Sequence, residues 1–320
     1  MTMVSFTDRV VLVTGGGRGL GAAYSREVAR RGASVVVCDN GSDTDGHGYD
    51  PTPARDVAAA IVADGGTAVA CTEDIRTEKG GQIAVELAEG QYGRLDAIIA
   101  NAGNVFNAPV GDWPTERFES LLRHHLVGAF HVVRPGFEVM KRAGYGRIVL
   151  VASAAGVFGQ HGMLGYSTAK TGMLGLMNVL SLEGAECGIA TNAIMPMART
   201  RMADAVTGVG ANDPDGSAFL DTLRQDQVAP VVAYLASEAC TQTQTVFSAF
   251  MGRVAAVQIG ITRGWTSPDG SLSAEDVATH LPEILDTTGL LVPRTLYDEM
   301  GYVASPESLC LLYTSDAADE

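Results

Sequence analysis

The sequence predicts an α/β fold in which helices cover both faces of a doubly wound parallel sheet of about seven strands. Short β-branched apolar runs alternate with helical patterns from Val10 to Phe250, as expected of repeated βαβ units. The first run leads directly into a glycine-rich turn and then a helix. Because neither a repeat nor a linker divides the chain, we expect one domain over residues 1–260. Residues 261–309 are expected to form a short C-terminal extension packed on the same domain.

Composition and charge narrow the classes of protein to consider. The 320 residues are 46% hydrophobic and 18% charged, which is ample for a buried core. A formal charge of −15 argues against nucleic acid or an anionic membrane as a partner. No apolar run could span a membrane, and Met1–Asp8 lacks a secretory pattern. The five cysteines lack CxxC spacing, so we expect reduced thiols, no metal site and a cytoplasmic location.

The first predicted strand and its turn indicate a nucleotide site. Val10–Val13 is an apolar run typical of a strand buried on both faces. It continues into a glycine-rich turn and a helical pattern over 22–31. Glycines allow the backbone to approach a diphosphate, and the N–H groups and dipole of the helix attract its charge. A tight turn alone is the alternative, but the spacing fits TGxxxGxG, through Gly15, Gly19 and Gly21.

The second predicted strand, Ser34–Cys38, ends at Asp39. A carboxylate at this position can accept hydrogen bonds from the adenosine ribose hydroxyls and would repel a 2′-phosphate. Asp39 therefore favours NAD over NADP, although a turn-forming aspartate is the alternative interpretation. Arg18, in the glycine turn, could instead pair with a 2′-phosphate, so NADP stays open.

The third predicted strand follows a loop and a helix. Residues 40–53 are rich in Gly, Asp and Pro and predict an exposed loop, with solvation favoured over a metal site for its acidic residues. A helical pattern covers 54–63 and a strand pattern covers 68–71. Beyond that strand, the Asp74 side chain and the Ile75 amide could meet an adenine edge.

The fourth predicted strand also ends in residues suited to a cofactor. A helical pattern over 80–89 precedes the strand 95–100, and a long helix is predicted over 116–140. An asparagine and a glycine at the carboxyl end of a central strand suit the close passage of a cofactor. The tripeptide in question is Asn101, Ala102 and Gly103.

The fifth predicted strand, 147–151, delivers Ser153, and a loop over 154–165 precedes a helix that carries Tyr166 and Lys170. Side chains four residues apart share one helix face. A phenol has a pKa of about 10, and a nearby cation favours the phenolate and lowers that pKa, which suits general acid/base catalysis. The serine hydroxyl could polarise a carbonyl or hold an alcohol. A YxxxK pair alone is a weak signal.

The remaining elements complete the predicted sheet. The strand 189–195 ends at Pro196, and the Gly- and Asp-rich segment 197–226 is a plausible lid over a substrate. A helix over 228–237 and a seventh strand over 245–250 follow.

The C-terminal part carries a helix signal and an unusual tail. Ser273 and Asp276 resemble a capping box, and apolar residues form a helical stripe over 277–285. Residues 310–320 match the translation of a transposon sequencing adapter, so we expect them to be non-native and the natural carboxyl end to be missing. A genuine acidic tail is the alternative.

The combination of these motifs resembles the short-chain dehydrogenase/reductase family. TGxxxGxG, Asp39, Asp74, NAG, Ser153, YxxxK and Pro196 occur in the family's order over roughly residues 6–260. Within the family, the chain is most similar to the (3R)-hydroxyacyl-CoA dehydrogenase module of peroxisomal-type multifunctional enzymes and its bacterial relatives. The long loop after Asp39, His125-Leu-x-Gly128 and the chain beyond the seventh strand carry this finer resemblance.

The resemblance implies a Rossmann-type fold and an NAD-dependent oxidoreductase that interconverts a secondary alcohol and a ketone, with a (3R)-3-hydroxyacyl-CoA as one candidate substrate. Tyr166 would be the acid/base, Lys170 would lower its pKa and bind the nicotinamide ribose, and Ser153 would orient the substrate oxygen. The implied cofactor contacts are Gly15, Arg18, Gly19, Leu20, Gly21, Asp39, Asp74, Ile75, Asn101, Ala102, Gly103, Tyr166, Lys170 and Pro196.

The chain departs from the family pattern at one position, and two alternative functions are considered. His125 stands where most family members have an asparagine that holds a water linked to the lysine, and an imidazole can also donate to or accept from such a water. We include His125 among the expected catalytic residues. An NADPH-dependent ketoreductase and a non-catalytic nucleotide-binding scaffold are the alternatives. The resemblance also implies a homodimer or homotetramer.

Overall fold

The computed structural model describes residues 4–207 and 214–302, and eight strands in these ranges form one sheet. The order across the sheet is β3-β2-β1-β4-β5-β6-β7-β8. The strands β1 to β7 are parallel, and β8 is antiparallel to β7. The strands are β1 Val10–Thr14, β2 Ser34–Cys38, β3 Thr67–Cys71, β4 Ala97–Ala100, β5 Gly146–Val151, β6 Ile189–Pro196, β7 Val246–Phe250 and β8 Arg253–Val257.

Helices connect the strands and continue beyond them. The chain divides into two compact units, Met1–Val257 and Gln258–Glu320. The first unit contains α1 Gly19–Arg30, α2 Thr52–Ala63, α3 Glu78–Tyr92, α4 Thr115–Leu122, α5 Gly128–Ala143, α6 Ala154–Phe158, α7 Leu164–Ala185, α8 Arg201–Thr207, α9 Pro214–Thr222 and α10 Ala229–Leu235. The second unit contains α11 Ala274–Thr279, α12 Leu281–Ile284 and α13 Leu296–Gly301.

Two apolar layers cover the two faces of the sheet. Alternate residues of a strand point to opposite faces, and in β1 Val11 packs with α1, α2 and α10 while Leu12 packs with α3, α5 and α7. Both side chains are fully buried. The predicted doubly wound sheet is therefore confirmed. No helix in the described residues is long and apolar enough to cross a membrane.

The eighth strand is an element that sequence analysis missed. β8 pairs with β7 through a turn in which Met251 and Gly252 have φ of 49° and 74°. Two consecutive positive φ values are the geometry of a tight hairpin turn, which favours Asn-Gly or Asp-Gly. Met-Gly carries no such signal, so the hairpin could not be predicted from composition.

The helix predicted over 116–140 is interrupted in the structure. A π-helical turn, Arg123–Val127, separates α4 from α5 and contains His125. The loop predicted over 154–165 also contains α6, and α7 begins at Leu164. The segment predicted as a lid contains α8 and α9, and its residues 208–213 lie outside the described part of the chain.

The second unit confirms the predicted capping box. Ser273 Oγ accepts a hydrogen bond from Asp276 N at 3.1 Å, and Asp276 Oδ2 accepts one from Ser273 N at 2.9 Å. The predicted helical stripe is divided at His280 into α11 and α12, since Pro282 cannot continue the preceding turn's hydrogen bonding. The tail at 310–320 lies outside the described residues.

Candidate active site

A cavity of about 890 Å³ opens at the carboxyl ends of the parallel strands in the first unit. Ligands of open α/β sheets bind at this edge. Every predicted site residue except His125 lines the cavity: Gly15, Arg18, Gly19, Leu20, Gly21, Asp39, Asp74, Ile75, Asn101, Ala102, Gly103, Ser153, Tyr166, Lys170 and Pro196. The sequence motifs are therefore brought together in one place.

The glycine turn leads into α1, and the cap residue of this helix makes no side-chain hydrogen bond to the first turn. Arg18 occupies the cap position without a capping hydrogen bond, and the first turn of α1 carries no acidic residue. A Cβ at Gly21 would lie 2.0 Å from Gly15 O, so only glycine allows this close approach. A bare helix N-terminus beside a glycine turn attracts an anion. This end of the cavity fits the diphosphate of a dinucleotide.

Asp39 is held by the backbone around it. Its Oδ2 accepts a hydrogen bond from Gly17 N at 3.0 Å and its Oδ1 accepts one from Gly41 N at 2.8 Å. These bonds fix the carboxylate at the tip of β2, where it lines the cavity. The position is the one that reaches the adenosine ribose in dinucleotide-binding folds of this kind.

Arg18 is also engaged by the loop that follows β2. Its Nη1 donates to Gly41 O at 3.2 Å and to Ser42 O at 3.0 Å, and its Nη2 lies 3.5 Å from Asp50 Oδ2. The guanidinium therefore links the glycine turn to this loop. It still borders the cavity, so it remains within reach of a ligand.

Asp74 is paired with Arg76, a residue that sequence analysis did not single out. Arg76 Nε and Nη2 donate to the carboxylate at 2.8 and 2.6 Å, and its Nη1 donates to Gly46 O at 3.0 Å. Burial opposes ionisation of Asp74, but its hydrogen bonds with Arg76 lower the pKa of the carboxyl below its usual value. The Asp-x-Arg spacing is the only sequence signal for this pair.

Asn101 connects β4 to the glycine turn. Its Nδ2 donates to Thr14 O at 3.0 Å and to Gly15 O at 3.2 Å, while its backbone N donates to Thr14 Oγ1 at 3.0 Å. Ala102 N donates to the same hydroxyl at 3.1 Å. Thr14 was missed as a site residue, because its role depends on the pairing of β1 with β4.

Ser153, Tyr166 and Lys170 lie on one wall of the cavity. Ser153 caps α6, its Oγ accepting a hydrogen bond from Ala155 N at 3.2 Å. Tyr166 and Lys170 share a face of α7, with the lysine Nζ 5.7 Å from the centre of the phenol ring. The Lys170 ammonium donates to the backbone oxygen of Val151. A hydroxyl, a phenol and an amine thus converge beside β5.

Burial has the largest effect on the pKa values of Lys170 and Tyr166. It lowers the pKa of Lys170 to about 7. It also raises the pKa of Tyr166, an effect that a hydrogen bond with the Ser153 side chain opposes. The sequence predicts a depressed phenol pKa, and the structure shows the opposite direction because the phenol is desolvated more than it is stabilised.

His125 contacts Tyr166 without lining the cavity. Its ring is 1% exposed and stands edge-on to the phenol ring, with the centroids 5.1 Å apart. Its Nε2 lies 2.7 Å from Asn104 O. Burial, and secondarily the charge of Lys170, hold the pKa of the imidazole well below its ordinary value. A neutral ring at this position packs against the acid/base candidate, and Gly103 separates it from the cavity.

The far wall of the cavity is apolar and was not predicted residue by residue. It combines side chains from α6, from the loop before α7 and from the predicted lid. Phe158, Met197 and Phe219 are exposed, as expected where a ligand rather than protein covers them. The apolar residues of this wall, with Phe250 from β7 included, are Phe158, Met163, Met197, Phe219, Leu220, Leu223 and Phe250.

Comparisons with known proteins agree with this geometry. A family model described as short chain dehydrogenase matches residues 9–208. A short-chain type dehydrogenase/reductase of Mycobacterium tuberculosis is 37% identical over 287 residues, which are 90% of this chain and 97% of that protein. A crystal structure of a short chain dehydrogenase from Mycobacterium avium has a TM-score of 0.75 at 28% identity, covering 90% of this chain and 97% of the other.

A longer relative shares the same region. The peroxisomal multifunctional enzyme type 2 of Mus musculus is 34% identical over 298 residues, 92% of this chain but only 39% of that enzyme. The glycine turn, Asp39 and the cavity fit a nicotinamide dinucleotide, the cofactor class of the matched family. On its fold, its site and these matches, the chain belongs to the short-chain dehydrogenase/reductase family and is an oxidoreductase that acts on CH–OH groups.

Proposed function

We propose that the protein is an NAD-dependent dehydrogenase that interconverts a secondary alcohol and a ketone. The observation that carries the proposal is the placement of Ser153, Tyr166 and Lys170 on one wall of a cavity whose other end is the glycine turn. A bound nicotinamide supplies or accepts the hydride. The protein has to position the substrate and move one proton at its oxygen.

The three side chains divide this work. Tyr166 exchanges a proton with the substrate oxygen, and Ser153 hydrogen-bonds the same oxygen and fixes its direction. Lys170, whose pKa is about 7, can carry its charge at neutral pH and then favours the phenolate. The apolar wall of the cavity excludes water, which strengthens these interactions.

Tyr166→Phe tests the central role. The variant keeps the ring but loses the proton, and we expect turnover to fall by roughly 100-fold or more while NAD affinity, measured by titration calorimetry, is retained. Tyr92→Phe, at the end of α3, is the matched control and keeps full activity. Substantial turnover in the Tyr166 variant would remove the phenol from the mechanism.

NAD is preferred over NADP because the fixed carboxylate of Asp39 faces the cavity. The NADPH-dependent alternative is supported by Arg18 and Arg201, which line the same region. We expect the wild-type protein to bind NAD more tightly. Asp39→Ala should weaken NAD binding by about tenfold, through loss of hydrogen bonds to a charged group, and should improve relative affinity for NADP.

The ratio of the two affinities is the decisive measurement, since damage to the glycine turn would weaken both dinucleotides equally. Asp56→Ala, an exposed aspartate on α2, should leave the ratio unchanged. Tighter binding of NADP by the wild-type protein would favour the ketoreductase alternative.

For the substrate, we propose a (3R)-3-hydroxyacyl-CoA. The resemblance to the dehydrogenase module of multifunctional enzymes supports this class, and the apolar wall that includes Phe158, Met197 and Phe219 suits an acyl chain. A spectrophotometric screen for NADH formation over 3-hydroxyacyl-CoA esters, hydroxysteroids and simple secondary alcohols tests it. We expect the R ester to be oxidised and its S isomer not. Preference for a steroid or a simple alcohol would overturn the substrate class and leave the reaction class standing.

We propose a homodimer or homotetramer on the strength of the family resemblance. We propose a cytoplasmic location because the scattered cysteines suit reduced thiols. The molecular mass in solution, from light scattering, distinguishes these assemblies from a monomer.

A further inference from the structure

Cys38 and Cys71 lie side by side at the adenosine end of the cavity. They are the last residues of β2 and β3 and are direct partners in the parallel register. Both are buried in the same apolar layer, so their side chains point to the same face. Neighbouring strands are about 4.8 Å apart, within the Cα separation of about 4.4–6.8 Å that a disulfide spans. The register therefore places the two cysteine side chains next to each other.

The two thiols differ in the direction in which their pKa values are shifted. A hydrogen bond between the side chains lowers the pKa of Cys71, while that bond and burial raise the pKa of Cys38 well above its usual value. The shared hydrogen bond brings the two sulfurs together, and the thiolate is the reactive form of either cysteine. Cys38 lines the cavity, which gives a small uncharged molecule access to the pair.

The backbone oxygens of both cysteines accept hydrogen bonds from residues of the predicted cofactor site. Cys38 O accepts a hydrogen bond from Gly16 N at 3.1 Å, and Cys71 O accepts one from Asp39 N at 2.9 Å. A disulfide needs a Cβ separation of about 3.5–4.5 Å, shorter than the spacing of paired strands. Closing the bond would draw the two strand ends together and shift both the glycine turn and Asp39.

We propose that Cys38 and Cys71 form a dithiol modification site, which hydrogen peroxide or a similar small hydroperoxide converts to a disulfide that weakens dinucleotide binding. The thiolate of one cysteine attacks a peroxide oxygen and the O–O bond breaks, which gives a sulfenic acid at that cysteine and a hydroxide that becomes water. The sulfur of the other cysteine then attacks the sulfenic sulfur, the S–O bond breaks, and the departing hydroxide takes the proton of the second thiol. Two thiols lose two electrons in total, and one hydrogen peroxide becomes two waters.

Oxidation and cofactor binding must then oppose each other reciprocally. If the disulfide lowers NAD affinity by some factor, bound NAD disfavours the disulfide by the same factor. We expect a factor of about ten, in the ordinary range of coupled sites. The disulfide would act on dinucleotide binding, whichever substrate the protein takes.

Full-length protein treated with hydrogen peroxide, with and without NAD, tests the proposal. Trypsin separates the cysteines into peptides 32–55 and 56–76, each with one cysteine, and mass spectrometry should find these two joined. Calorimetry should show weaker NAD binding, restored by dithiothreitol, and NAD present during treatment should protect. Failure of the peptides to join, or joining without a change in affinity, would overturn the proposal.

Two variants separate this pair from other thiols. Cys71→Ala should keep its NAD affinity after peroxide treatment, whereas Cys187→Ala, which removes a partly exposed cysteine outside the pair, should respond as the wild type does. Peptide mapping uses the wild-type protein alone. The test therefore stays decisive even if the Cys71→Ala variant does not fold. The binding readout rests on the proposed NAD site, whereas the joined peptides do not, so the disulfide can be detected whether or not the protein binds NAD or turns over a substrate.

Discussion

Lys170 is a charged side chain held in an apolar place. The residue is 3% exposed, and its ammonium donates a hydrogen bond to the backbone oxygen of Val151. Burial lowers its pKa to about 7, whereas the unfolded chain keeps the ordinary value near 10.4. Between these two values the unfolded chain binds a proton that the folded chain does not, so the free energy of unfolding rises with pH across this window.

Lys170→Met is therefore expected to stabilise the protein while it abolishes turnover. At pH 7 the variant should unfold with a free energy at least about 1 kcal/mol higher than that of the wild type, because it no longer has to lose a proton or bury a charge. The advantage should shrink as the pH rises toward 10. Urea unfolding at several pH values measures this difference.

Lys141, an exposed residue on α5, provides the control. Lys141→Met should change neither the free energy of unfolding at pH 7 nor its pH dependence beyond a few tenths of a kcal/mol. If Lys170→Met were equally destabilising at every pH, the ammonium would be a structural anchor instead of a strained functional group.

Local spacing explains how much of the site was predictable. The glycine turn, Asp39 and the Tyr166–Lys170 pair depend on residues near one another in sequence, and the structure places all of them on one cavity. Thr14 could not be found in this way, because strand pairing brings its partners to it. Arg76 had only the short Asp-x-Arg spacing as a signal, and its bond to Gly46 depends on the fold of a distant loop. The pKa direction of Tyr166 was also inaccessible, since it depends on burial.

At the scale of elements, the π-helical turn Arg123–Val127 places the buried His125 ring against Gly103. A Cβ at residue 103 would lie 2.0 Å from His125 Cε1. The strand-end loop that borders the cofactor cavity and the turn between α4 and α5 are therefore locked together. The single helix predicted over 116–140 missed this turn, because its apolar pattern continues through the interruption.

Gly103→Ala should force the imidazole away from Tyr166. We expect a loss of about 1–3 kcal/mol in the free energy of unfolding, the usual cost of overpacking, together with reduced turnover. The loss should be smaller when His125→Asn provides room, which gives a coupling energy measurable by a double-mutant cycle. Urea unfolding of the four proteins provides the measurement.

Gly90 supplies the matched control on α3. It is exposed and a Cβ there meets nothing within 4 Å, so Gly90→Ala should raise the free energy of unfolding by about 0.5–1 kcal/mol. Additive effects of Gly103→Ala and His125→Asn would show that the turn and the loop are independent.

At the scale of the whole molecule, the carboxyl and amino ends of the sheet's strands carry different groups of residues. The cavity lies at the carboxyl ends of the strands, and a cluster of charged and aromatic residues lies at the amino ends. Asp96 is at its centre: Oδ2 accepts from Val10 N at 2.8 Å, and Oδ1 accepts from Arg9 Nη1 at 2.9 Å. Arg94 donates to both oxygens, at 2.8 and 2.6 Å. The Arg9 guanidinium also stacks 4.1 Å from the centre of the Tyr145 ring.

The strand order across the sheet and β8 were not predicted, but the other seven strands were predictable, since they follow from apolar runs separated by helices. The cluster at the amino edge was not, because Asp96, Arg9 and Arg94 look like ordinary charges beside strand ends until β1 and β4 pair. Only the parallel pairing of β1 with β4 brings the backbone of Val10 to the Asp96 carboxylate. Contacts that depend on the register between strands cannot be predicted from local sequence patterns.

Asp96→Asn should separate stability from chemistry. Asparagine keeps the volume of the side chain but loses the charge and half of the accepting capacity, which leaves buried donors of Arg9 and Val10 poorly paired. We expect the free energy of unfolding to fall by about 2–4 kcal/mol. The dinucleotide affinity and turnover of the folded protein should stay within about twofold of the wild type, because the cavity lies at the opposite edge of the sheet.

Glu238→Gln is the control for this last experiment, because Glu238 pairs with Arg9 from a side chain that is 70% exposed. Its loss should cost at most about 1 kcal/mol. Urea unfolding gives the stabilities, and calorimetry with NAD gives the affinities under conditions where both variants are folded. A fall in NAD affinity in Asp96→Asn at unchanged stability would mean that the amino edge is coupled to the site. The cluster would then belong to the catalytic machinery and not only to the framework that supports it.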